Sequence, residues 1–402
     1  MINGIINVYK ERGFTSHDAV AKLRGILHQK KIGHTGTLDP DAVGVLPVCL
    51  GTGTRLCDML TDTDKVYRAS FVLGMSTDTQ DTSGRILSET AVAYAGAPAS
   101  AGAATDTELA ALAGTLAQPA AEAVGVTQDA VREHNPAADV RHNLEAVYVT
   151  ENAVRDCIIS FVGAYDQVPP MYSALKVDGK KLYELARAGQ EVERKPRRVC
   201  IRRIEVHDIR EITKEALACT DADPVVAGIP LAGEPQLFPK LLVTMTVECS
   251  KGTYIRTLCH DIGEKLGTGG CMSALERIRV GAFDMASAKR LCEIGELAAE
   301  GRLDDFVTPV DAMFADLPGG MIREDYVKLL HNGNPFAAEG FVFLPAQPQE
   351  DALHGDATAM SADMLADGAR VRVYDLDGTF AAIYGYDRKH RIFRVVKMFR
   401  SC

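Results

Sequence analysis

No apolar run in this 402-residue chain approaches the roughly 18 residues that a membrane-spanning helix needs. The N-terminus, MINGIINVYKERG, lacks the basic start, apolar centre and small-residue cleavage site of a signal peptide. A cytoplasmic location and no membrane partner are therefore expected. Ten cysteines are present, but none falls in a CxxC pair, and a chain of this length does not need disulfide staples. Cys259, His260 and Cys271 form the densest cluster, yet the first two are adjacent and a second short-spaced pair is missing. No metal site is expected, and buried reduced thiols are the simpler reading. A Walker loop and a complete dinucleotide fingerprint are also absent; GTGTR (51–55) is too short and has no lysine. No cofactor is expected.

Positive charge is scarce overall. The net charge of −10 argues against nucleic acid, because phosphate binding rests on Lys and Arg. Its distribution changes that reading. Segment 101–151 has eight acids against two bases, 211–239 five against one, and 341–369 five against none. Together they hold −15, so the remainder of the chain carries +5. The acidity sits in segments that read as inserted.

With 47% hydrophobic residues the chain can build a sizeable core, and its length suggests more than one domain. INGIINVYK (2–10) reads as a strand. Ser16, read as the N-cap, opens a helical pattern with Ala19, Val20, Leu23, Ile26 and Leu27 on one side. KVYRASFVLG (65–74), 198–209 and 240–249 alternate as strands, while 153–163, capped by Thr150, and 253–267 have helical periods. Residues 88–147, rich in Ala, Gly and Pro, read as an insertion, loosely ordered or a small helical excursion, and 211–239 as a second. Strands and helices mix without a regular βαβ rhythm, so the expected class is α+β. From about 320, VRVYDLDGTFAAIYGYD reads as a hairpin about Asp-Gly and RIFRVVKMF as a third strand. This small β-rich C-terminal region carries Arg388, Lys389, Arg391, Arg394, Lys397 and Arg400, a set suited to RNA or to an ordinary solvated face.

The segment GHTGTLDP (33–40) supplies a chemical candidate. Pro40 suits the first turn of a short helix, PDAVGV, with Asp39 as its cap. Such a cap is usually only structural, but amide donors and a helix dipole would also hold the carboxylate ionised. In a cleft, it would be a nucleophile.

GHTGTLDPDAVGVLPVCLG (33–51) resembles the catalytic motif of the TruB family of tRNA pseudouridine synthases. Four further segments agree in order: 2–24, KVYRASFVLGMSTDTQDTSG (65–84), QVPPMYSALKVDGKKLYELARAG (167–189) and SKGTYIRTLCHDIGEKLG (250–267). The resemblance implies a mixed, largely antiparallel-sheet catalytic domain over 1–310, interrupted by the two insertions. It also implies a small β-rich, PUA-like RNA-binding domain over 320–402. Asp39 matches the family's nucleophile, Arg256 the arginine that pairs with it, and Tyr67 the tyrosine that stacks on the target base. His34 matches a residue that holds the flipped nucleotide, Tyr254 and Leu275 line the uracil pocket, and Lys10 is a basic residue near the site, expected to contact phosphate. The basic stretch 176–198, interleaved with Tyr172 and Tyr183, suits a single-stranded RNA loop.

The implied reaction isomerises the T-loop uridine of tRNA at position 55 after base flipping. The expected protein is a monomer. A non-catalytic RNA-binding relative would be expected to lack Asp39, Tyr67 or Arg256, and all three are present. A guide-RNA-dependent enzyme fits less well with the uninterrupted 167–189 stretch and the absence of lysine-rich tails, so no guide RNA is expected. A glycosidase would want a second carboxylate; Asp41 and Asp78 match no such pattern.

Overall fold

A computed structural model describes residues 1–95, 141–177, 179–213, 235–344 and 361–400. The chain forms two compact units, Met1–Tyr67 with Glu276–Cys402, and Arg68–Leu275.

The first unit begins with strand β1 (Gly4–Lys10), whose Ile5, Ile6 and Val8 are fully buried. Helix α1 (Ser16–Ile26) follows and buries Ala19, Val20 and Leu23, as their spacing requires. Its cap is Thr15 rather than the expected Ser16: Thr15 and Asp18 form a capping box, and Ser16 is buried. Strands β2 (Ile32–His34) and β3 (Val43–Leu50) come next, then the short helix α2 (Cys57–Thr61). Strand β3 pairs antiparallel with β1 along its whole length, and with β2 at its far end.

Strand β4 (Lys65–Leu73) carries the chain into the second unit. There β5 (Met75–Thr77), β6 (Ile86–Ala95) and β7 (Arg141–Thr150) form a three-stranded sheet. The reading of 88–147 as loosely ordered therefore fails at both ends, because 88–95 and 141–147 lie in paired strands. Its Ala/Gly/Pro-rich middle, 96–140, lies outside the described residues, as do 214–234 of the second expected insertion and 345–360. Helix α3 (Glu151–Ile159) is capped by Thr150, as expected. Then come β8 (Gly163–Gln167), the ribbon β9 (Lys176–Val177) and β10 (Lys180–Lys181), and helix α4 (Leu182–Arg187). The long strand β11 (Arg197–Ile212) pairs antiparallel with β8 and with β12 (Lys240–Cys249). Helix α5 (Ile255–Leu266) ends at Gly267 in the left-handed region, φ 70°. Strand β13 (Gly270–Val280) returns the chain to the first unit.

In the first unit, β13 pairs in parallel with the start of β3 through Glu276↔Val43 and Arg277↔Gly44. Gly44 has φ 105°, and a Cβ there would lie 2.3 Å from the Arg277 carbonyl oxygen, so only glycine permits this approach. After β14 (Phe283–Asp284) and α5's successor α6 (Leu291–Ala299) the chain builds a six-stranded sheet. Its members are β15 (Gly319–Ile322), β16 (Phe336–Ala337), β17 (Phe341–Phe343), β18 (Arg370–Tyr374), β19 (Phe380–Asp387) and β20 (Ile392–Met398). The expected Asp-Gly hairpin joins β18 and β19, with Gly378 at φ 79°. This sheet packs Phe336, Phe341, Tyr384 and Phe393 into a core of its own. Ile383 and Phe399 join a second cluster with Ile5, Val45, Leu56 and Phe314, and Arg55 donates to the carbonyls of Met398 and Arg400, both at 2.9 Å. The architecture is α+β and largely antiparallel, as expected.

Candidate active site

The loop between β2 and β3 carries Asp39. The expected helix after Pro40 does not form. Pro40 and Asp41 make a turn, closed by the Ala42 amide donating to the Asp39 carbonyl at 3.1 Å, and Val43 enters β3 directly. The apolar run Val-Gly-Val-Leu-Pro-Val-Cys-Leu pairs on both sides as a buried strand, and sheet pairing outweighs the helix-start signal of Pro40. No helix dipole acts on Asp39 from this segment.

The loop's main chain is held almost residue by residue. The Thr35 amide and hydroxyl both donate to the Pro47 carbonyl, at 3.2 and 3.1 Å, and the Thr61 hydroxyl donates to the Thr35 carbonyl. The Leu38 amide donates to Ser16 Oγ at 2.9 Å. The Pro40 carbonyl accepts from the Gly13 amide and from Lys10 Nζ, both at 3.0 Å. The Asp39 side chain is half-buried and has interactions of its own.

Lys10 is buried, and its ammonium donates to the carbonyls of Phe14 (2.6 Å), Pro40 (3.0 Å) and Glu11 (3.2 Å). Burial pushes it down to about 8, while the carboxylates of Asp41 and Asp39 act in the opposite direction. This geometry fits a support beneath the Asp39 turn and gives no backing to the expected phosphate contact. His34 lies edge-to-face with His17, ring centres 5.1 Å apart, and its Nδ1 accepts from the Gly36 amide at 3.3 Å. Burial, then the charges of His17 and Arg277, lower its pKa. The ring is neutral near neutral pH, and the Gly36 bond assigns its proton to Nε2. Tyr67, on β4, is buried and partnered.

The second unit holds Tyr254, Arg256 and Leu275. Tyr254 precedes α5, and its backbone amide and carbonyl are both read by the Gln167 side chain, at 2.8 and 3.0 Å. Leu275 is buried on β13. Arg256 is buried, donating to the carbonyls of Thr79 (3.1 Å) and Tyr172 (2.9 Å) with Asp81 at 3.6 Å. It thereby ties the turn after β5 to the PPMYSALK segment, two of the motifs singled out in the sequence. Asp78 closes that turn by accepting from the Arg85 amide at 2.8 Å, a structural use for one of the two candidates for a glycosidase's second carboxylate.

Three residues were missed by sequence reasoning. Ser16 was assigned to capping, and Gln167 carried no signal of its own. Arg277 is almost fully buried, with Nε on the Val45 carbonyl at 2.8 Å and Nη2 on the Gly36 carbonyl at 3.5 Å. Its signal was an arginine at an inward position of an alternating strand, GCMSALERIRV.

A model of the TruB family pseudouridylate synthase N-terminal domain matches residues 24–135 and 122–221, and one of the tRNA pseudouridylate synthase B C-terminal domain matches 256–315. The tRNA pseudouridine synthase B of Lachnoclostridium phytofermentans is 40% identical over 398 residues, spanning 99% of this chain and 100% of that one. The chain belongs to the TruB family. A second member, from Clostridium perfringens, is 36% identical over 332 residues, 83% of this chain and 84% of its own. Among solved structures, a Cbf5–Nop10–Gar1 complex matches with a TM-score of 0.54 at 21% identity, covering 99% of this chain and 85% of that one. An H/ACA ribonucleoprotein bound to a substrate RNA gives 0.53 at 20%. These last two establish the fold alone. As a TruB-family pseudouridine synthase, the protein is an isomerase. Among the described residues no helix is long and apolar enough to cross a membrane.

The C-terminal sheet of this TruB-family chain offers less free charge than its composition suggests. Arg391 pairs with Asp363 at 2.6 Å and Arg394 with Asp387 at 3.1 Å, while Arg400 contacts both Asp375 and His331. In the 176–198 stretch, Lys181 and Arg187 instead lie over the Tyr183 ring, at 5.3 and 5.6 Å.

Proposed function

We propose that the protein converts uridine 55 in the tRNA T-loop to pseudouridine, with Asp39 as nucleophile and without cofactor or guide RNA. The observation that carries this reading is the 40% identity to a tRNA pseudouridine synthase B across essentially both full chains. The GHTGTLDP loop, anchored at Thr35, Gly36, Leu38 and Pro40, supports it by fixing the main chain on both sides of Asp39. The reaction breaks the N1–C1′ bond, turns the base, forms C5–C1′, releases the C5 proton and leaves N1 protonated. Atoms balance without an oxidant or group donor. A carboxylate can hold the intermediate at ribose C1′ or at uracil C6 while the base turns.

In this reading Arg256 pairs with Asp39, Tyr67 stacks on the base and serves its proton transfers, and Tyr254 and Leu275 line the uracil pocket. Neutral His34, donating through Nε2–H, helps hold the nucleotide out of its stack. The tyrosine-interleaved basic stretch 176–198 contacts the T-loop, and the C-terminal sheet, 320–402, acts as a PUA-like RNA-binding domain. The enzyme works as a cytoplasmic monomer. An unmodified tRNA transcript, mapped for pseudouridine after incubation with wild type and Asp39→Asn, tests the assignment. Conversion at position 55 by wild type, with at least about a 10⁴-fold loss in the variant, is expected. Activity surviving in Asp39→Asn removes Asp39 from the chemistry.

A further inference from the structure

We propose that Arg277 is a positioning residue for the nucleophile loop, its guanidinium clamping the Gly36 and Val45 carbonyls so that Asp39 and His34 are held in reactive register. This deepens the reading of Asp39 as nucleophile and rests on it.

Four observations carry the inference. Arg277 is 1% exposed, so its charge has been taken out of water, which is costly unless something needs it there. Its two carbonyl acceptors stand on either side of the turn: Gly36 three residues before Asp39, Val45 six after. The fold gives up a side chain to admit it, since Gly44 must be glycine for the Arg277 backbone to pair with β3. Finally, Arg277 shares its neighbourhood with a second buried cation: its charge lowers Lys10, and both hold the same loop. Two like charges buried together destabilise the fold, and such sites cluster where function needs them.

The two cations divide the work. Lys10 fixes the turn after Asp39 through Pro40, while Arg277 fixes the approach through Gly36, the residue whose amide also orients His34. Lysine in place of Arg277 keeps the charge but cannot span two carbonyls with a planar fork. Glutamine removes the charge as well.

The test compares wild type, Arg277→Lys, Arg277→Gln and Asp39→Asn on an unmodified tRNA transcript, with thermal melting and amide hydrogen exchange on each. Arg277→Gln is expected to lose about 100-fold in kcat, the scale of a 1 Å misplacement, with KM changed less than about threefold. Exchange should speed up at the amides of residues 35–39, 41 and 42 and stay unchanged in β18–β20. Arg277→Lys should fall between the two. A kcat for Arg277→Gln within about threefold of wild type, or a loss that merely follows the unfolded fraction, overturns the proposal. If Arg277→Gln does not fold, Arg277→Lys decides, since full activity there overturns the two-carbonyl clamp. Activity in Asp39→Asn overturns the nucleophile assignment instead, and the exchange pattern then still tests the clamp by itself.

Discussion

Among the described residues the second unit buries two cations, Lys240 and Arg256, and the first buries three, Lys10, Lys65 and Arg277. In the second unit, Lys240 lies 3.3 Å from Glu89 and Arg256 3.6 Å from Asp81, so each buried charge faces a carboxylate. In the first, the hydrogen bonds of Lys10 and Arg277 run to main-chain carbonyls. Carbonyl dipoles solvate a cation but leave its net charge in place, whereas a carboxylate cancels it. In the second unit each of these two cations therefore has a carboxylate of the same unit beside it. In the first, Lys10 and Arg277 hold the main chain of the Asp39 turn through the carbonyls of Pro40, Gly36 and Val45.

The contrast is broken hardest at Glu89. This side chain is 2% exposed and also accepts from the Gln236 amide at 3.0 and 3.2 Å, while Lys240 donates to the Gly74 carbonyl at 2.9 Å. Glu89→Gln leaves a buried ammonium with one carbonyl and an amide oxygen. A loss of about 3–5 kcal/mol in denaturant unfolding is expected. A loss under about 1 kcal/mol would mean that carbonyls serve Lys240 as well as Glu89 does, and the two units would then not differ in kind.

Asp81 gives a middle-sized effect. Its carboxylate accepts from Thr79 Oγ1 (2.7 Å) and from the Ser83 amide (3.1 Å) and hydroxyl (2.6 Å), besides facing Arg256. Asp81→Asn should cost about 1–3 kcal/mol by leaving donors poorly matched, and kcat should stay far above that of Asp39→Asn. This pair of substitutions separates an aspartate that builds a turn from the one proposed as nucleophile. Equal losses of kcat would erase that distinction.

These roles were unequally legible. The period-2 runs at 240–249 and 371–387, the helical period at 255–266 and the Gly267 stop were readable because burial there follows local periodicity. The Asp39 turn was misread because Pro40 is a helix-start signal, and only pairing of Val43–Leu50 with β1 and β2 overrides it. Glu89 was hidden inside a segment read as loose, since its partner Lys240 is 151 residues away. Arg277 and Ser16 were missed for the same reason: each acts on a main-chain atom far along the chain, and sequence patterns carry side-chain types, not carbonyl positions.

The smallest effect tests the burial of Lys10 through pH. Unfolded Lys10 holds its proton to about 10.4, while in the fold burial lowers it to about 8. Below pH 8 both states are protonated, and Lys10 contributes a constant unfavourable amount. Between those values the unfolded state binds the extra proton, so stability rises with pH, by at most about 1.4 kcal/mol per unit. Wild type measured against Lys10→Met in denaturant should therefore gain stability from pH 8 to 10, while kcat declines over the same range as the neutral amine loosens its hold on Pro40. A flat difference would mean that three carbonyls solvate the ammonium as well as water does. Lys10 would then no longer carry the contrast between the units.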